Sequence, residues 1–121
     1  VKRYRFDTGV GRAIEAYGST HLVITRITRA LENASIVCMH LGPEGEIGYH
    51  QAASPQLFLV MAGDGWVSGG DEKPVPIRAG QAAFWESGEW HAAGSPNGMT
   101  AIVIEAQALE PETTLKFIEE K

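Results

Sequence analysis

Residues 48–65 read GYHQAASPQLFLVMAGDG. Gln56–Met61 is an apolar run of strand length, and the Ala-Gly-Asp-Gly that follows has the chemistry of a tight turn. One histidine, His50, stands ahead of the run. The arrangement returns at residues 80–98, GQAAFWESGEWHAAGSPNG. There a run at Ala82–Trp85 leads through a glycine-bearing turn to a second histidine, His91. Two hairpin-like units, each delivering one histidine near a strand end, are how a β-barrel aims side chains into its mouth.

Working outward, further short apolar runs occupy Lys2–Phe6, His21–Thr28, Ser35–Leu41, Trp66–Ser68, Pro74–Ile77 and Thr100–Ala106. GPEGEIG, SGGDEKP, RAG, ESGE and GSPNG lie between the runs, and these are turn chemistry throughout. Short strands at such regular spacing predict an all-β sandwich or barrel. TAIVIEA is apolar on both faces, as a central strand of a two-layer structure would be. In Gln56–Met61, Gln56, Phe58 and Val60 share one face. Leu57, Leu59 and Met61 share the other, which needs cover from a sister sheet or from a homodimer partner. VGRAIEAYGS could form one helical turn, and the tail predicts a short helix over about 111–120. Pro111 suits its first turn, and Leu115 and Ile118 would dock on the body.

The totals narrow the function classes. A chain of 121 residues is one domain's worth, 1–121, and a net charge of −5 without a basic cluster argues against nucleic acid and anionic membrane surfaces. No apolar run approaches the ~18 residues of a membrane helix. The opening VKRYRFD is no signal peptide, so the cytoplasm is the expected location. The single cysteine, Cys38, lies in the apolar ASIVCMHL and reads as a small buried hydrophobe. His21, Arg26 and Arg29 read as solvated strand-edge residues, although the two arginines could meet a carboxylate. Trp66, Trp85, Trp90, Tyr49 and Phe58 gather around the two units, mostly as packing. Tyr49 and Trp90 each directly precede a histidine and so should face away from the pocket.

The two units resemble the signature motifs of the cupin family, small β-barrels of the jelly-roll, or double-stranded β-helix, type. The first motif has Gly, five residues, His-x-His, three or four residues, Glu, six residues and Gly. Over about 45–63, His50 fits the first histidine and Gly63 the closing glycine. Ala52 stands at the second histidine and Gln56 at the glutamate, and Gly45 sits one residue off the opening glycine. The second motif has Gly, five residues, Pro-x-Gly, two residues, His, three residues and Asn. Over about 80–95, Gly80, Gly88 and His91 are in register, with Glu86 in place of the proline and Ser95 in place of the asparagine. The resemblance implies a small single-domain cupin barrel.

The resemblance also implies one divalent metal, Fe, Mn, Ni or Zn, held in the family by three histidines and a glutamate. Here it points to His50, Gln56 and His91. Ala52 has no ligating atom, and Gln56 offers a neutral amide oxygen where a carboxylate would bring charge. Two imidazoles and an amide make a weak cation site. His40 could join the pocket if Ile36, Cys38 and His40 face inward, but not if Val37, Met39 and Leu41 do, and alternation alone does not choose. The expected pocket is therefore His50, Gln56, Phe58 and His91, with His40 conditional. Three functions follow: a small-molecule-binding barrel with an eroded metal site, a metal-dependent enzyme of dioxygenase or isomerase type, or a structural or interaction domain without chemistry. The first is the leading expectation.

Overall fold

The structure is a computed structural model, which describes residues 1–118 of the 121. Eleven strands are present among the described residues. They are β1 (Lys2–Arg5), β2 (Arg12–Ile14), β3 (Leu22–Ile24), β4 (Ser35–Leu41), β5 (Gly45–Gln51), β6 (Gln56–Ser68), β7 (Val75–Arg78), β8 (Gln81–Trp85), β9 (Trp90–Ser95), β10 (Met99–Glu105) and β11 (Lys116–Phe117). Every pairing is antiparallel.

Strand β6 organises the molecule. Its first half pairs with β10 and β8, in a layer ordered β11-β1-β8-β6-β10-β4. From Asp64 onward the same strand pairs with β7 and β9, and β9 in turn pairs with β5. The strand changes layers at the Ala-Gly-Asp-Gly expected to be a turn. Two features bend it there without ending it. The β6–β10 register shifts between Thr100 and Ala101, and Gly63 adopts φ +80. A Cβ at residue 63 would also run into the Gly98 carbonyl oxygen, so only glycine fits.

The first half of β6 is buried on both faces, which explains its unbroken apolar sequence. Phe58 and Val60 point between the layers, toward Val67, Ile77, Ala83, Trp85, Ala93, Ala101 and Val103. Leu57 and Leu59 point outward, where Tyr4, Phe84, Ile104, Leu109 and Leu115 cover them. Tyr4, Leu109 and Leu115 bring this cover from the terminal segments and Phe84 and Ile104 from the flanking strands β8 and β10, with Phe6, Ile27 and Leu31 completing it.

The tail departs from expectation. Pro111–Thr113 makes only a 3-10 turn, and Lys116–Phe117 then pairs with β1 as β11, so no helix forms over 111–118. Tyr4 draws Phe117 into an edge-to-face contact at 5.6 Å, which extended backbone reaches and a helix starting at Pro111 would not. The last two residues of the expected helix, 119 and 120, lie outside the described residues. VGRAIEAYGS likewise forms strand β2 between two 3-10 turns. Cys38 is exposed, because among the described residues β4 pairs with β10 alone and forms a sheet edge. No helix of the described residues is long and apolar enough to cross a membrane.

Candidate functional site

His50 and His91 are direct partners across β5 and β9. A bulge aims the first of them. Between the pairs Ile47–Ala93 and His50–His91, β5 advances three residues while β9 advances two. Simple alternation would put Ile47 and His50 on opposite faces. The extra residue turns both inward, the usual effect of a bulge beside a site. The imidazole rings lie 4.2 Å apart, centroid to centroid.

Backbone carbonyls select the tautomers. His50 Nδ1 lies 2.6 Å from the Gly48 carbonyl oxygen, and His91 Nδ1 lies 3.3 Å from that of Glu89. A carbonyl only accepts, so each Nδ1–H donates, and in the neutral ring Nε2 then keeps its lone pair. Gln56 is fixed in the same way. Its Nε2 donates to Glu105 Oε1 at 2.8 Å, across the Gln56–Glu105 pair of β6 and β10, which leaves the amide oxygen as an acceptor. His91 is buried, whereas His50 is exposed and stands at the mouth. Burial holds His91 below the ordinary histidine range, and nearby His50 acts in the same sense. The Glu89 carbonyl and the charges of Glu89 and Glu105 oppose the shift. His91 is therefore neutral at pH 7.

His50, Gln56, Phe58 and His91 surround one cavity, together with Met39, Ile47, Trp85 and Ala93. It measures about 20 Å³, room for about one water. Trp85 fills much of the space that a larger ligand would need. Its ring lies 4.4 Å from His91 and 5.9 Å from Phe58, and its Nε1 donates to the Ser68 carbonyl at 3.0 Å. A pocket for a whole metabolite, as expected from the barrel reading, is absent here. His40 stays outside: Met39 and Leu41 pack against the interior and His40 is exposed, so β4 takes the inward register that excludes it. Tyr49 and Trp90 do face away, stacked on each other at 5.2 Å.

Trp85 and Glu105 were not anticipated as site residues. Glu105 ends an apolar strand, and only the β6–β10 register places it against Gln56. The motif positions that depart from the family have structural roles. Ser95 Oγ donates to the Asp64 carbonyl and accepts from the Gly98 amide, tying β9 to β6 and to the β9–β10 turn. The Glu86 amide donates to Glu89 Oε1, closing the turn that carries Gly88 at φ +83.

The donor set does not fit a metal. It holds two imidazole nitrogens and one amide oxygen with no charged ligand. Ala52 is buried without a ligating atom. Among the described residues, no three or more His, Cys, Asp or Glu side chains converge as a metal shell would require.

Fold and motif together define a cupin domain, and the comparisons agree. A sequence model described as "Cupin domain" matches residues 36–105, more than half of the chain, so the chain belongs to the cupin family. Its double-layered fold is similar to a predicted oxalate decarboxylase from Thermotoga maritima, at 24% identity and a TM-score of 0.55, over 60% of this chain and 64% of that one. An uncharacterized conserved protein with a double-stranded beta-helix domain from Klebsiella pneumoniae matches at 19% identity and a TM-score of 0.56, over 80% of both chains. A cupin-like protein from Thermotoga maritima matches at 18% identity and a TM-score of 0.59, over 63% of this chain and 59% of that one. The matched region thus spans under two thirds of either Thermotoga protein. At these identities the likeness is one of fold. No curated protein matches the chain.

Proposed function

We propose that this chain is a small-molecule-binding cupin whose two layers act as barrel walls and whose site works without a metal. One observation carries this reading. Three hydrogen-bond acceptors, Nε2 of His50, Nε2 of His91 and Oε1 of Gln56, are each fixed through their neighbouring atom around one cavity that lacks a charged ligand. A set in which acceptors predominate selects a ligand that donates. The 20 Å³ interior takes a hydroxyl or amino end group, while the rest of the ligand stays at the mouth beside His50. The metal-dependent enzyme reading would need a carboxylate, and Glu105 is turned to the Gln56 amide.

Metal content after purification without an affinity tag tests this directly, in the parent chain and in His50→Ala and His91→Ala. The expected result is metal well below one per chain in all three. About one metal per chain, lost in both variants, would overturn it. Thermal shift against small alcohols, amines and hydroxy acids should then find a stabilising class for the parent but not for His91→Ala. A ligand at a hundred times its Kd gives about 2.7 kcal/mol.

A second copy of the chain is the proposed partner. Among the described residues β3 and β4 each have a free edge, and Leu22, Val23, Ile24, Ile36 and Val37 are exposed on them. Two such apolar edges on one chain can be satisfied reciprocally in a two-fold dimer. Light scattering should give twice the chain mass, reduced to one by Ile36→Lys. A monomeric parent would refute it.

A further inference from the structure

The opposite side of the β5–β9–β6 layer carries a second cavity. Val67, Ala93 and Ile47 pack into or against the core, so their strand neighbours Trp66, Gly94 and Glu46 lie on the face turned away from it. The Gly69–Pro74 connection arches beside this face and borders an open pocket of about 520 Å³, a volume typical of small-molecule sites. Its walls include Tyr49, Trp66 and Pro74, and its carboxylates are Glu46 and Glu72. Among the described residues, no basic side chain lines it.

Several features show a built pocket. Trp66 lies across Gly94, where a Cβ would come within 2.6 Å of three indole atoms, so glycine at that position lets the ring lie on the strand. Tyr49 stacks on Trp90, and its hydroxyl reaches the Gly70 carbonyl of the arch at 3.4 Å. Glu72 holds φ +59, a conformation that non-glycine residues seldom adopt, within the arch itself. The Tyr49 hydroxyl titrates above its ordinary range, through desolvation first and then through the negative charge of Glu72 and Asp71. Aromatic faces are negative at their centres, and here they adjoin carboxylates with no ion-pair partner among the described residues.

We propose that this outer cavity is a binding site for a small organic cation, an ammonium group on an apolar body, with Tyr49 and Trp66 supplying the π faces and Glu46 and Glu72 the charge. The site is separate from the His50–His91 cavity and does not depend on the reading of that one.

The test is calorimetric titration of the 121-residue chain with tetramethylammonium, choline and butylammonium, beside 3,3-dimethylbutan-1-ol, the uncharged isostere of choline. Saturable binding of at least one ammonium ion is expected. For choline the isostere should be weaker by about tenfold or more. The double variant E46Q/E72Q should weaken the ammonium ion by about tenfold and leave the isostere unchanged. Trp66→Phe keeps a π face and should retain binding, whereas Trp66→Leu should lose it. Circular dichroism establishes that each variant folds, and the carboxylate pair decides the matter should either Trp66 variant fail to fold. Absence of saturable binding by all three ammonium ions, equal affinity for choline and its isostere, or indifference to E46Q/E72Q would overturn the proposal.

Discussion

Trp85→Ala should convert the filled interior into a cavity. The indole is 1% exposed, packs on His91 and Phe58, and donates to the Ser68 carbonyl. Truncation leaves on the order of 100 Å³ after partial relaxation. At about 24 cal/mol per Å³ this costs about 2.4 kcal/mol. Lost transfer energy of the ring adds about 2 kcal/mol, and the orphaned Ser68 carbonyl adds about 1 kcal/mol more. The sum, about 5 kcal/mol, is at the upper end for such truncations and takes a large share of a domain's stability. At roughly 4 °C per kcal/mol the midpoint should fall by about 20 °C. Urea unfolding of parent and variant measures the loss. Titration with indole then asks whether the vacated space is real, since a ligand at a hundred times its Kd would restore about 2.7 kcal/mol. A loss below about 1.5 kcal/mol would refute the placement of Trp85 as the wall that keeps the His50–Gln56–His91 cavity small.

Three further outcomes are expected. Because burial lowers the His91 pKa, the unfolded chain protonates first on acidification. The stability from neutral His91 is whole above about pH 6.5 and declines as pH falls toward the lower folded value, a dependence that His91→Gln should flatten in urea unfolding from pH 7.5 to 5. An unchanged pH slope in that variant would count against it. Joint Ala52→His and Gln56→Glu should take the chain from no stoichiometric uptake to about one zinc or manganese ion, since they add an imidazole and set a second carboxylate against Glu105. Dialysis and elemental analysis would read this, and unchanged metal content would refute it. Cys38 should react to completion with a thiol reagent in native buffer, because it is exposed on an edge strand, and protection until unfolding would contradict that.

The parts of the fold legible in the sequence were those where burial and residue type agree. Ser35–Leu41 is β4 to the residue, because β-branched and apolar side chains dominate it. β5 and β9 were hidden behind their glycines. Gly45, Gly48 and Gly94 resemble turn residues, yet they sit within strands, and at Gly94 the reason is the indole laid across it. The Ala-Gly-Asp-Gly of β6 misled in the same way: positive φ at Gly63 bends a strand as readily as it closes a hairpin. In the site, motif spacing brought His50, Gln56 and His91 together across strands distant in sequence. It could not settle His40, which depends on the parity of β4, nor reveal Glu105 and Trp85, which enter through strand register and ring packing.

Strand β6 belongs to both layers, with seven of its first eight residues paired to β10 in one sheet and its last five in the other. Neither layer can therefore come apart while the other stays paired, because the peeling edge would have to stop inside a continuous backbone ladder. Amide protons along Gln56–Ser68 should exchange with solvent by whole-molecule opening alone, and the domain should melt in a single step. The interior cavity begins at one end of this strand with Gln56, and the outer one leans on Trp66 near the other. A ligand that tightens either end acts on one cooperative unit.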